Sequence, residues 1–183
     1  MAGKMGPLQD LFASEAFGRY LQEITALELT GCSSEARRFR PGLDYSVAHY
    51  GAITKEARLD AVLSLVDDFA PGGKPDEEKR ALWESQDVGG YECYLVADDE
   101  VEAEASDVYR MDADDEPLLN VTGRCNALSL VMRDTGVMRF VKYVNAQAPG
   151  SRWDVAAEYS VVPLEGDAEE GGAEGEGAQR GCA

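Results

Sequence analysis

Residues 152–161 read RWDVAAEYSV, and this stretch decides the fold class. Every second side chain is apolar, which is the period of a β-strand. One face of the predicted strand carries Trp153, Val155, Ala157 and Tyr159. The other face carries Asp154, Glu158 and Ser160. We therefore expect a strand here, with Trp153 and Tyr159 in the core rather than stacked against a ligand.

Seven further runs predict strands, and turn signals rich in Gly, Pro and Asp separate most of them. Residues 24–29 alternate only weakly. The other runs are 43–49, 59–66, 90–96, 118–122, 127–133 and 137–145. The last two flank Asp134-Thr135-Gly136, a spacing that predicts a β-hairpin.

One helix is predicted ahead of the strands. Residues 7–21 place apolar side chains at helical spacing, with Pro7 in the first turn. About eight strands and one leading helix are typical of an all-β sandwich or barrel, and a jelly roll of the cupin type, the double-stranded β-helix, fits the count. We expect an N-terminal helix or linker (1–22), a degenerate double-stranded β-helix domain (23–162) and a disordered acidic tail (163–183).

The charge of the chain excludes one class of partner. Its 35 acidic and 17 basic residues give a net charge of −18. This charge argues against nucleic-acid binding, because binding nucleic acid needs a basic surface. Residues 98–116 hold ten acids and one base, and residues 163–183 hold six acids and one base. The first segment reads as an acidic insertion. The tail is either an interaction segment or a solvated end.

The cysteines and the N-terminal sequence predict an intracellular protein. No apolar run approaches the ~18 residues of a membrane span, and no secretory signal precedes residue 12. Cys32, Cys93, Cys125 and Cys182 form no C-x-x-C pair, so a zinc site is not expected. We expect reduced thiols in the cytoplasm or nucleus, with Cys93 and Cys125 as small core residues.

The single histidine limits the available chemistry. His49 ends the run 43–49, on one face with Leu43, Tyr45 and Val47. It is either a hydrogen-bonded core residue or a metal ligand. Non-haem Fe(II) oxygenases need two His and one carboxylate, with H-x-D as the usual first pair. Here the tripeptide is His49-Tyr50-Gly51 and no second His exists, so we predict no catalytic, metal-binding or cofactor-binding residue in this chain.

Two groups of basic residues have surface interpretations. Arg37, Arg38 and Arg40 precede a Pro-Gly turn. They contact an acidic partner or form a solvated strand edge, where charge also blunts edge pairing. Arg139 and Lys142 lie on a predicted strand, and an Arg on a late strand of an oxygenase could bind the oxoglutarate carboxylate. Without iron that role has no purpose, so both are interpreted as surface charges.

Several motifs, in order, resemble one family. They are FRPGLDY (39–45), WE (83–84), VGGYECY (88–94), LSLVMRD (128–134), RFVKYV (139–144) and SRWD (151–154). Together they resemble the C-terminal domain of eukaryotic prolyl hydroxylases that act on a small-subunit ribosomal protein, the oxoglutarate/iron-dependent oxygenase C-terminal degradation domain. The resemblance runs from about Leu8 to Val161.

The resemblance implies a fold and a division of labour. In that family two jelly rolls stand in tandem; the N-terminal one uses Fe(II), 2-oxoglutarate and ascorbate, and the C-terminal one lacks the metal triad. It implies that His49 is a relic of the iron-ligand position. It also implies a scaffold that binds the oxygenase domain or another protein.

Two other functions stay open. In the first, the chain is part of an active peptidyl-proline dioxygenase whose catalytic half lies outside these 183 residues. In the second, the chain is a cupin-like binder with a small-ligand pocket near Tyr45 and His49. An interior filled with side chains would contradict the second.

Overall fold

Two antiparallel sheets form the body of the molecule. The computed structural model describes residues 2–44, 46, 48, 50–96 and 117–162. Along the chain it contains α1 (Ala2–Phe12), α2 (Glu15–Thr25), β1 (Leu29–Phe39), a 3-10 helix (Tyr50–Ala52), β2 (Arg58–Leu65), α3 (Glu77–Glu84), β3 (Glu92–Val96), β4 (Leu119–Val121), β5 (Ala127–Arg133), β6 (Val137–Val141) and β7 (Arg152–Val161). The expected mostly-β fold with an N-terminal helix is confirmed.

The strand order brings distant parts of the chain together. One sheet has four strands in the order β1-β7-β2-β5, and the other has three in the order β4-β3-β6. All their pairings are antiparallel. Side chains of β3 and β6 meet those of β1, β2 and β7, so the two sheets face each other. The space between them is therefore the interior of the domain.

The leading helices cover the outer face of the four-stranded sheet. Met5, Phe12 and Leu21 pack there in one apolar cluster with side chains of β2 and β7. Members on the strands are Leu59, Ala61, Val155, Ala157 and Tyr159, and Trp153 packs at the edge of the cluster. The Tyr159 hydroxyl donates to the backbone carbonyl of Phe12. The core placement of Tyr159 is thereby confirmed, and Trp153 is partly buried at the edge of the core.

The single helix expected over residues 7–21 is wrong in its bounds. Two helices occupy the region, and Ser14 separates them by capping α2: its hydroxyl accepts from the backbone N–H of Phe17 at 3.2 Å. Such a cap satisfies an amide that the helix itself leaves free. Pro7 lies inside α1 rather than in a first turn.

Replacing Leu21 with alanine tests whether these helices are integral to the domain. Leu21 has no exposed surface, so we expect the free energy of unfolding to fall by about 2–4 kcal/mol, from lost burial and the cavity left behind. Ile24 lies on the same helix but is 51% exposed, and Ile24→Ala should stay within about 0.5 kcal/mol of the parent. Urea denaturation of both variants gives the comparison. Equal losses would show that α2 is not packed on the sheet.

Several predicted strands have the observed positions, and one connection is wrong. The runs 127–133 and 152–161 coincide with β5 and β7. The expected hairpin between 127–133 and 137–145 does not form, because β5 pairs with β2 and β6 pairs with β3. The turn between them is bound to Thr54 instead: Gly136 N–H donates to the Thr54 carbonyl at 2.9 Å, and Thr54 N–H donates to the Val137 carbonyl at 3.0 Å. The chain therefore crosses from one sheet to the other there.

The strand expected over 43–49 is also wrong at its described positions. Leu43 lies in a turn and is 64% exposed, and residues 44, 46 and 48 are not in a strand. Strand β1 and helix α3 had no counterpart among the predicted elements. Tyr45, Val47, His49, Cys182 and both acidic segments, at 98–116 and 163–183, fall outside the described residues. Within the described part, no helix combines the length and apolarity that crossing a membrane requires.

Candidate functional site

A network of ion pairs occupies the space between the sheets. Four guanidinium groups alternate there with four carboxylates, each brought by a strand. The arginines are Arg37, Arg133, Arg139 and Arg152, and the acids are Asp60, Glu92, Asp154 and Glu158. Because buried charges are costly unless they are paired, equal numbers of each sign make this interior possible.

One half of the network centres on Asp154. Arg37 donates from Nε to Oδ1 of Asp154 at 2.8 Å and from Nη2 to Oδ2 at 3.1 Å. Arg152 donates from Nε to Oδ2 at 3.0 Å. Both arginines also reach Oε1 of Glu92, at 3.1 and 3.3 Å. Asp154, Glu92 and Arg152 are at most 1% exposed, so this half is shielded from water.

The other half centres on Asp60. Arg133 approaches Asp60 at 2.9 Å and Glu158 at 3.1 Å. Arg139 approaches the same two carboxylates at 3.1 Å each. Burial raises the pKa of Asp60, and the charges of Arg139 and Arg133 oppose that rise. Asp60 is fully buried and Glu158 partly exposed, so this half opens toward solvent at Glu158.

Tyr94 joins the two halves. Its hydroxyl donates to Oε2 of Glu92 at 3.3 Å, and it also interacts with Arg139. Burial, followed by the neighbouring carboxylates of Glu92 and Asp60, raises the pKa of Tyr94 well above its usual value. The phenol therefore stays protonated and acts as a hydrogen-bond donor within the network.

A groove opens at the Asp60 half. It has a volume of about 590 Å³ and lies between β1, β5, β6 and the segment that leads into β2. Five basic side chains line it against two acidic ones, Glu35 and Glu158. The basic ones are Arg37, Lys55, Arg58, Arg133 and Arg139. In a chain with a net charge of −18, this groove concentrates positive charge.

The three arginines near residue 40 do not act together. Arg37 points into the network, with 17% of its side chain exposed, so the surface interpretation is wrong for it. Arg38 lies over the ring of Trp153 at 4.8 Å from the centroid, and Arg40 pairs with Asp44 at 2.7 Å. Strand geometry separates Arg37 from Arg38, because alternate side chains of β1 point to opposite faces, and Arg40 lies beyond the end of β1.

The surface interpretation is also wrong for Arg139, whereas it is correct for Lys142. Only 6% of the Arg139 side chain is exposed, while Lys142 is exposed. Sequence reasoning also missed Asp60, Glu92 and Arg152 as interior groups. A signal was present, since charged residues sat at single positions inside apolar runs, as Asp60 does in RLDAVLSL.

Cys93 and Cys125 fit a structural role, whereas Cys32 is exposed. Cys93 is buried in an apolar cluster with Leu95 and Met138, and Cys125 packs at the edge of another. Neither is in a disulfide, and burial raises the pKa of both thiols. A raised pKa keeps a thiol protonated and lowers its reactivity, so the expected core role of Cys93 is confirmed.

The described residues do not fit a ferrous ion. Among them, no group of three or more His, Cys, Asp or Glu side chains is placed to hold a metal. The interior carboxylates that could serve as ligands lie 2.8–3.3 Å from arginine nitrogens, and these charges disfavour a cation at the same position. His49 lies outside the described residues and is no part of this comparison.

The chain matches one family model and is similar to curated prolyl hydroxylases. The model of the family described as "Oxoglutarate and iron-dependent oxygenase degradation C-term" matches residues 1–167. The prolyl 3,4-dihydroxylase OGFOD1 of Ostreococcus tauri is 36% identical over 151 residues, covering 82% of this chain and 27% of that protein. The prolyl 3-hydroxylase sudestada1 of Drosophila melanogaster is 30% identical over 161 residues, covering 80% of this chain and 26% of that protein.

The chain is much shorter than the relatives it matches, and one solved structure is only weakly similar to it. The chain spans about a quarter of the length of the curated relatives it matches. One solved structure, described as "Bacillus endospore appendages form a novel family of disulfide-linked pili", aligns with a TM-score of 0.30 and 8% identity. That alignment covers 72% of this chain and 88% of the other.

Proposed function

The chain belongs to the family of oxoglutarate and iron-dependent oxygenase degradation C-terminal domains, and we propose that it is a non-catalytic member that supports structure or binds a protein partner. The observation that carries this proposal is the ion-pair network. In an oxygenase an Arg on a late strand could bind the oxoglutarate carboxylate, as considered for Arg139 from the sequence. Here Asp60 and Glu158 already pair with the Arg139 guanidinium, and with that of Arg133, between the sheets.

We infer further that the domain is a degenerate jelly roll. Two residues ahead of β2 lie beside β6: the Ser46 hydroxyl donates to the Val141 carbonyl at 2.7 Å and accepts from its N–H at 3.2 Å, and Ile53 forms a β-bridge with Met138. If these contacts stand for a second strand, the sheet orders become 1-8-3-6 and 5-4-7-2, the order of an eight-stranded jelly roll.

The proposed partner is the catalytic half of a peptidyl-proline dioxygenase. The relatives are named prolyl hydroxylases and are about four times as long as the matched segment. The Fe(II), 2-oxoglutarate and ascorbate of the family would bind outside these 183 residues. The protein substrate would be a small-subunit ribosomal protein, as the resemblance implies, and the site of action the cytoplasm or nucleus.

The test is iron binding and turnover with and without that half. We expect the purified chain to bind no stoichiometric Fe(II) and to release no succinate from 2-oxoglutarate. His49→Ala should behave as the parent does. We also expect the chain to co-elute with a version of the Ostreococcus tauri relative that lacks its matching segment.

The test has one positive control and two results that would contradict the proposal. The full-length Ostreococcus tauri relative, assayed in parallel, is expected to release succinate and shows that the assay works. Stoichiometric iron with succinate release by the chain alone would refute the non-catalytic proposal. Separate elution of the two proteins would remove the catalytic half as the partner.

A further inference from the structure

The basic groove contains polar atoms that the protein leaves without hydrogen-bond partners. The hydroxyl of Thr54 makes no hydrogen bond within the protein, and because the residue is only 4% exposed, it is also shielded from water. Nε of Arg133 and Nη1 of Arg139 are buried and form ion pairs with the Asp60 carboxylate at 2.9 and 3.1 Å, without hydrogen-bond geometry. A buried donor without an acceptor is unfavourable, so the Thr54 hydroxyl indicates a place for an acceptor at this groove.

Two cations at the groove also have no acidic partner. The side chains of Lys55 and Arg58 make no hydrogen bond or ion pair within the described part of the chain, although every arginine of the interior network makes several. Asp60 lies behind Arg133 and Arg139, and Asp154 lies behind Arg37. The charges that remain at the mouth of the groove are therefore those of Lys55, Arg58 and Glu35. Two positive charges against one negative charge make the mouth net positive.

The wall of the groove combines this charge with apolar surface. Ile53, Phe140 and Val141 line it beside the cationic groups. Its volume of about 590 Å³ is within the range of about 300–1,000 Å³ for small-molecule sites. Arginine presents a planar fork of donors that matches the oxygens of carboxylate and phosphate groups.

We propose that this groove binds a small organic anion, with its carboxylate or phosphate at Lys55, Arg58 and Thr54 and its apolar part against Ile53 and Phe140. This site is beyond the proposed scaffold function and does not depend on it, since it requires neither iron nor the catalytic half. The overall charge of −18 repels anions elsewhere, so the groove supplies the local attraction that the rest of the chain does not.

The experiment is an NMR titration of the full chain with four probes at constant ionic strength. Phenyl phosphate and benzoate test the two anionic groups, inorganic phosphate tests the anion without an apolar part, and benzyl alcohol tests the apolar part without charge. We expect saturable shifts of the amide resonances of residues 53–55 and 140 with phenyl phosphate, benzoate or both. Whichever binds more tightly identifies the preferred anionic group, and inorganic phosphate should bind more weakly than phenyl phosphate.

Charge-removing variants locate the site. Lys55→Gln combined with Arg58→Gln should weaken binding at least about fivefold, since hydrogen bonds between charged groups are stronger than those between neutral groups. Lys74→Gln removes the same kind of charge from a loop outside the groove and should leave the affinity unchanged. Neither change touches the interior network, so the variants are expected to fold.

Three outcomes would overturn the proposal. They are equal shifts with benzyl alcohol and the anions, no saturable shift with either aromatic anion, and the same loss of affinity in the Lys74 variant as in the double variant. None of these outcomes bears on iron binding by the chain, so the proposal and the scaffold function fail separately.

Discussion

Replacing Asp154 with alanine is expected to lower the free energy of unfolding by about 3–5 kcal/mol. The carboxylate accepts hydrogen bonds from both Arg37 and Arg152 at 2.8–3.1 Å and has no exposed surface. Its removal leaves the guanidinium groups of Arg37 and Arg152 with Glu92 as the one interior carboxylate that they share. The cost arises from those unpaired charges, and it does not measure what the network contributes as a whole.

The measurement is urea denaturation followed by the fluorescence of the two tryptophans, of which Trp83 is 1% exposed and Trp153 is partly buried. Asp44→Ala is the matched control, because Asp44 also pairs with an arginine, Arg40, at 2.7 Å but at the surface. We expect only a small fraction of the Asp154 effect there, since water and salt screen an exposed pair. Comparable losses in the two variants would mean that the interior between the sheets is wet.

Replacing Gly89 with alanine is expected to destabilise the domain by more than about 4 kcal/mol. Gly89 has φ +73°, and a Cβ there would lie 1.8 Å from the carbonyl oxygen of Tyr143. That carbonyl cannot withdraw easily, because two backbone hydrogen bonds hold the segments together. Gly90 N–H donates to the Lys142 carbonyl and Asn145 N–H donates to the Val88 carbonyl, at 2.9 and 3.0 Å.

Gly73→Ala separates the clash from the backbone strain. Gly73 has φ +78°, and a Cβ there would meet nothing within 4 Å. The variant should show only the cost of a left-handed alanine, about 1–2 kcal/mol. Thermal and urea denaturation of both variants give the difference. If Gly89→Ala lost no more stability than Gly73→Ala, the close approach of the two segments would be disproved.

The strand content could be predicted because alternation is local. The runs 127–133 and 152–161 match β5 and β7 to the residue, since apolar side chains at every second position need no knowledge of the partner strand. Strand β1 was missed because LTGCSSEARRF lacks that alternation. It is an edge strand of the sheet, and it contributes a charged residue, Arg37, to the interior.

Connections and segment 43–49 could not be predicted in the same way. The sequence 127–145 has every local feature of a hairpin, yet β5 and β6 pair with strands more than 30 residues away. Ladder partners are decided by which sheet edge is free, and a turn signal carries no information about that. Leu43 has the spacing of a strand but follows Gly42, whose positive φ belongs to the turn in which both residues lie.

The sequence by itself determined the β class, the apolar face of β7, the lack of a second histidine and the family resemblance. Only the tertiary structure decided that the polar face of β7 is interior as well. Helices α1 and α2 cover Val155 and Ala157, and the second sheet covers Asp154. The physical reason is that a charge can be buried once an opposite charge meets it. The groups that meet Asp154 and Glu158 come from β1, β5, β6 and β7 itself, most of them many residues away, which no local pattern records.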